Sequence, residues 1–212
     1  KVNLPHDWSV GLPYDSISGE GCVAFLQGGI GWYSKSFPTT ISANQKCYIV
    51  FDGVYNNSEY WINGKKLGYH LSGYAPFYFD VTDYLNPNED NRMTVRVDHS
   101  HYADSRWYTG SGIYRDVKMI VTDRLHIPVW GTFVTTPVVT DKYAKVNNQI
   151  TVRNSYSEPR TAVVEIVYKD NKGNIAAFEV FSIKLNRHRI GDKTAGFVER
   201  RDTSPLYSRD PY

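Results

Sequence analysis

The chain is punctuated too often to be helical. Short segments rich in Tyr, Val, Ile, Phe and Thr recur along its 212 residues, separated by Gly, Asn, Asp and Pro, and a 3.6-residue apolar period is almost absent. Strands are expected over 31–37, 46–51, 58–62, 65–69, 77–81, 92–98 and 113–122. A second series is expected over 125–129, 133–137, 144–153, 161–169, 174–183 and 196–201. Asn63-Gly64 stands between two of these segments, and both residues tolerate the positive φ that a type I′ hairpin turn requires. Lys172-Gly173 is a second hairpin candidate, and Asp83-Tyr84-Leu85-Asn86-Pro87 reads as a short helical turn stopped by proline. The second series is poorer in Gly and Trp, with the change near 122–124. The simplest architecture is all-β: two β-sandwiches joined near residue 123.

Composition removes several function classes. The 24 basic and 22 acidic residues leave a net charge of +2, which gives no electrostatic reason for a nucleic-acid or anionic-membrane partner. No apolar run approaches transmembrane length, and no signal peptide is evident; the opening Lys1-Val2-Asn3-Leu4-Pro5-His6-Asp7-Trp8 reads like mid-protein sequence, as after processing or truncation. The compartment stays open, removal of a secretion signal included. Hydrophobic residues make up 41% of the chain, enough for a real core. Aromatics reach 15%, with 17 Tyr and 5 Trp; β-sheet filling explains most of these rings, and a few are free to line a binding surface. Cys22 and Cys47 have no His at ligand spacing, so no structural zinc is expected, and Cys47 in Cys47-Tyr48-Ile49-Val50-Phe51 reads as a small buried hydrophobe. Their redox state is open.

Most motif matches have a plain structural explanation. Gly28-Gly29-Ile30-Gly31 and Gly110-Ser111-Gly112 precede strands, so they lack the helix N-terminus that a phosphate cradle needs. His99-Ser100-His101 puts two imidazoles on one side of an extended segment, but no third ligand is identifiable, and no metal is assigned. Asn56-Asn57-Ser58 is formally a glycosylation sequon with no supporting context, and no nucleophile elbow is present. Most of the acids, such as Asp52, Asp80, Asp83, Glu89, Asp90 and Asp170, sit in turns or at strand ends as solvated turn-formers. The segment from Asp104 to Val117 is different. It is a loop with Arg106 beside Trp107 that leads into an alternating strand, and a guanidinium next to an indole suits sugar hydroxyls and pyranose faces.

Five segments in register then carry a resemblance. They are Val2-Asn3-Leu4-Pro5-His6-Asp7-Trp8, Gly31-Trp32-Tyr33-Ser34-Lys35-Ser36-Phe37, Phe51-Asp52-Gly53-Val54-Tyr55 through Glu59-Tyr60-Trp61-Ile62-Asn63-Gly64, Tyr78-Phe79-Asp80-Val81-Thr82-Asp83-Tyr84-Leu85, and Ser105-Arg106-Trp107-Tyr108 through Gly112-Ile113-Tyr114-Arg115-Asp116-Val117. In this order they resemble the N-terminal part of family 2 glycoside hydrolases, with motif wording nearest the bacterial β-galactosidase branch. The resemblance is dense over the first series of strands and loose over the second.

What the resemblance implies is modular. A jelly-roll sugar-binding domain is expected over 1–122 and an immunoglobulin-like sandwich over 123–212. The tail Ser204-Pro205-Leu206-Tyr207 is similar to the exit toward a (β/α)₈ barrel. That barrel holds the family's two catalytic glutamates and is not in this chain, so no catalytic residue is assigned and the chain alone is expected to be inactive. The parent enzyme would hydrolyse terminal β-galactosides with retention, with no cofactor. A β-glucuronidase or β-mannosidase shares the same layout, and a stand-alone carbohydrate-binding module or a purely structural pair of sandwiches are the other readings. In family members the loop before the Trp reaches toward the active site, which carries substrate proximity onto Asp104, Ser105, Arg106 and Trp107. Some relatives place an acid two positions before that Trp, where this chain has Ser105. Asp104 is one position off, so no carboxylate role or cation is carried over. The expected partners are a β-galactoside or oligosaccharide substrate and the missing barrel; homo-oligomerisation stays open.

Overall fold

The computed structural model describes residues 1–17, 20–101, 105–140 and 143–195, with side chains described through residue 191. Its chain divides into two compact units, Lys1–Thr122 and Asp123–Tyr212. Both are all-β.

In the first unit the strands are β1 (Gly29–Pro38), β2 (Gln45–Phe51), β3 (Ser58–Ile62), β4 (Lys65–His70), β5 (Phe77–Asp80), β6 (Asp90–His99) and β7 (Val117–Asp123). They form a four-stranded sheet in the order β1-β6-β3-β4 and a three-stranded sheet in the order β5-β2-β7. Strict alternation explains the sandwich. Along β6, Asn91, Met93, Val95, Val97 and His99 are buried while the residues between them are not, so one face must be covered. Covering it are Cys47, Ile49 and Phe51 of β2 with Phe77 of β5, which join Tyr60, Ile62, Met93, Val95 and Val97 in one core. Phe51 stacks on Phe77 at 5.1 Å and 7° and meets Tyr60 at 4.8 Å. Aromatic pairs of this kind add roughly 1 kcal/mol each beyond the area they bury.

The hairpin at Asn63-Gly64 forms as its chemistry requires, with φ of 52° and 78°. The expected helical turn is a 3-10 turn at Thr82–Tyr84. One expected strand is shortened. Residues 113–116 are not extended ladder but loop, because Gly112 takes φ +117° and bridges Tyr55 before pairing resumes at Val117.

The second unit contains β8 (Leu125–His126), β9 (Thr132–Val139), β10 (Ala144–Asn154), β11 (Arg160–Lys169), β12 (Ile175–Leu185) and β13 (Arg189–Ala195). Strand β10 pairs with β8, β9 and β13, and β11 pairs with β12 as a long hairpin through Gly173, whose φ is 85°. A small core forms from Ile150, Val152, Val164 and Leu185. The expected strand 125–129 stops at His126, since the chain turns at Pro128 with Gly131 N–H donating back to its carbonyl. Strand β13 lies between the expected strands 174–183 and 196–201, in a stretch with no strand expected from the sequence. Its glycine is there for packing: a Cβ on Gly191 would lie 2.4 Å from Leu185 Cδ2. The expected strand 196–201 and the tail Ser204–Tyr207 lie outside the described residues.

Candidate functional site

The loop between β6 and β7 is defined by what holds it. Asp7 fixes its base. Oδ1 of Asp7 accepts from the backbone N–H groups of Ser9 (3.0 Å) and Ser111 (2.9 Å), and Oδ2 accepts from the Tyr108 hydroxyl. Backbone bonds continue the seam, with His6 N–H donating to Ile113 O and Trp8 N–H to Ser111 O. Burial, then the hydrogen bond to Asp7 and its charge, pushes the Tyr108 phenol up, so it stays a donor across the ordinary pH range.

Beneath the loop lies a buried hydroxyl relay. Ser9 Oγ is 2.6 Å from Gln27 O and 2.6 Å from Ser111 Oγ, which in turn is 2.7 Å from His99 Nδ1. A carbonyl cannot donate, so Ser9 gives its single proton to Gln27 O and receives one from Ser111. This assigns His99 Nδ1–H as the donor to Ser111. His99 is thereby turned into the core, where Tyr55 meets it edge-on at 4.9 Å, while His101 is exposed. Asp98 causes the divergence: its Oδ1 accepts from both Ser100 N–H and Ser100 Oγ–H and bends the chain as β6 ends. Among the described residues no group of three or more His, Cys, Asp or Glu could hold a metal ion.

The exposed part of the loop rests on Gly73-Tyr74 at two points. Trp107 Nε1–H donates to Tyr74 Oη at 3.2 Å, and Tyr114 Oη–H donates to Gly73 O at 2.7 Å. Tyr74 meets Tyr55 edge-on at 5.4 Å, and a Cβ on Gly73 would sit 2.0 Å from Tyr55 Cδ2. Position 73 therefore has to be glycine for the ring beneath it to fit. Trp107 is 61% exposed and Tyr74 51%. Beside them an open cleft of about 410 Å³ is lined by Pro5, Asp52, Pro76, Tyr114, Arg115 and Asp116, with the Arg115 guanidinium 5.4 Å from the Tyr114 ring. Lys118 pairs with Asp52, so that carboxylate is already engaged.

Of the four residues expected near substrate, Ser105 is half-buried and Arg106 and Trp107 are exposed. Asp104 lies outside the described residues. Two contributors were missed in the sequence. Asp7 is the anchor, and the Asp-x-Ser spacing of an Asx turn was its visible signal. Tyr74 supports Trp107 and had no local signal. The site can offer rings and a guanidinium to a ligand. The Asp7 carboxylate is used in holding the loop.

Residues 23–123 match a family described as glycosyl hydrolases family 2, sugar binding domain. A β-galactosidase of Bacteroides ovatus, BoGH2A, is 41% identical over 83% of this chain and 21% of its own length. The chain belongs to glycosyl hydrolase family 2. Another relative, from Formosa agariphila, is described as a putative β-glucuronidase and is 37% identical over 73% of this chain and 15% of its own. Among solved structures, a family 2 member from Bacteroides cellulosilyticus superposes with a TM-score of 0.87 at 32% identity, covering 95% of this chain and 27% of that one. This family 2 chain thus spans about a fifth of the first of these curated relatives. Among the described residues no helix is long and apolar enough to cross a membrane.

Proposed function

We propose that this chain is a non-catalytic part of a retaining glycosidase acting on terminal β-galactosides. Its first unit, 1–122, is a jelly-roll sugar-binding domain, and its second, 123–212, is an immunoglobulin-like spacer. Segment Ser105-Arg106-Trp107, with Asp104 before it, contributes one wall of a substrate pocket that a separate catalytic domain completes. The supporting observation is the disposition of Trp107: largely exposed, yet tethered through its Nε1–H to Tyr74 above a base fixed by Asp7. A ring held in place by its supports loses little freedom when a pyranose stacks on it. The galactosidase reading is favoured by the higher identity to the galactosidase than to the putative glucuronidase.

Kinetics of the intact enzyme test this reading. Trp107→Ala is expected to lower kcat/KM for a chromogenic β-galactoside about tenfold, mainly through KM. The same variant with unchanged kinetics would leave the loop a structural feature only. Hydrolysis of the β-glucuronide in preference to the β-galactoside would reassign the substrate, and turnover by the 212-residue chain alone would refute the non-catalytic role.

A further inference from the structure

The sheet β1-β6-β3-β4 has a second, outward face whose composition is unlike an ordinary solvated surface. Register places Trp32, Arg96, Glu59 and Tyr69 on one rung across the four strands. Trp61, opposite Thr94 and Lys66 on the next rung, reaches back to stack against Trp32 with ring centroids 5.6 Å apart at 27°. Trp32 is 61% exposed and Tyr69 67%. Two aromatic platforms therefore flank a charged strip at a distance of roughly 14 Å, three inter-strand spacings.

The strip is organised. Arg96 Nη1 bonds Glu59 Oε1 at 3.2 Å and Nη2 bonds Asp98 Oδ2 at 2.8 Å, while Lys66 pairs with the other Glu59 oxygen and sits 5.6 Å over the Trp61 ring. A hollow of about 230 Å³ opens over these groups, lined by Asn57, Glu59, Lys66, Tyr69, Arg96 and Asp98 among others. Its two carboxylates and two cations cancel.

We propose that this outer face is a carbohydrate-binding surface for a neutral oligosaccharide, sharing no residue with the loop at 105–116 and independent of its role. Trp32 and Tyr69 stack on the C–H faces of sugar rings, and the Glu59–Arg96–Asp98 strip takes their hydroxyls as further hydrogen-bond partners. A protein partner fits less well: a dry interface would strip water from four charges, whereas interface cores are depleted of Lys, Glu and Asp. The balanced charge disfavours an anionic sugar, and the span between the platforms disfavours a monosaccharide.

Calorimetry and amide chemical-shift titration of the 212-residue chain with β-linked galactotetraose test the proposal, with tetragalacturonate as the acidic comparator. Saturable binding that shifts amides of β1, β3, β4 and β6 is expected, weakened at least about fivefold by Trp32→Ala and unchanged by Phe133→Ala, an exposed ring of the second unit. Tyr69→Ala, on the opposite platform, provides the same test should Trp32→Ala lower the melting temperature. Absence of saturable binding up to about 10 mM sugar overturns it. So does binding that survives both Trp32→Ala and Tyr69→Ala, binding abolished by Trp107→Ala alone, or tighter binding of tetragalacturonate.

Discussion

Asp7 and Ser111, 104 residues apart, are joined by a 2.9 Å hydrogen bond from the Ser111 backbone to the Asp7 carboxylate. This bond closes the loop that carries Trp107 against the start of the chain. Asp7 also receives Ser9 N–H and the Tyr108 hydroxyl, so Asp7→Ala strands three donors at once. Hydrogen bonds to a charged group contribute about 2 kcal/mol each at most sites, and water replaces part of what is lost. Asp7→Ala is expected to destabilise the first unit by about 3 kcal/mol in urea melts, and Asp7→Asn by less.

Gly112 is predicted to tolerate no side chain. Its φ is +117°, and a Cβ would lie 2.2 Å from Tyr33 Oη and 2.9 Å from His6 O. The obstacle includes backbone, so a rotamer change cannot relieve it. Gly112→Ala should cost about 3 kcal/mol or more. Gly64→Ala, at φ +78° with open space around it, should cost about 1 kcal/mol. Parallel melts of the two variants would show the difference.

Cys22 is exposed, Cys47 is buried, and both are free. Burial, then the charge of Asp80, pushes the Cys47 thiol up to about 11. A thiol reagent at pH 8 should therefore titrate one group per native chain, and the second only when denaturant unfolds it. Two fast-reacting thiols would contradict the packing of β2.

Acid should destabilise the first unit through Asp98. Its carboxyl is held low first by the Ser100 hydroxyl, against burial, and then by Ser100 N–H and Arg96. A depressed folded pKa means the contribution is present in full above the unfolded carboxylate value, about 4, and is lost as pH falls through the folded value. Stability should fall below about pH 4, and the fall should be shallower in Asp98→Asn. Urea midpoints measured at pH 7 and pH 3 for both proteins would check the sign.

The strands were legible where period and turn chemistry agreed. β3, the Asn63-Gly64 hairpin and β6 appear within a residue or two of where alternation puts them, because a half-buried face imposes alternation directly. Failure came where a distant neighbour set the backbone. Strand β13 holds Gly191 because Leu185 presses on it, and residues 113–116 leave the ladder because Gly112 must turn under Tyr33 and His6. Trp107 stood out in the sequence as part of a candidate site, but its support by Tyr74 could not, since the two are 33 residues apart.

By itself, the sequence determined the all-β class, the hairpin turns and the five segments whose order places this chain in family 2. These are properties of local period, of φ tolerance and of motif order, none of which needs a third dimension to be read. The tertiary structure alone decided that Asp7 is a fastener, that His99 faces the core while His101 does not, and that Trp32 and Trp61 stack on one outer face. Each of those outcomes depends on hydrogen bonds or ring contacts between segments far apart in the chain. Partners of that kind are chosen by strand order and sheet packing.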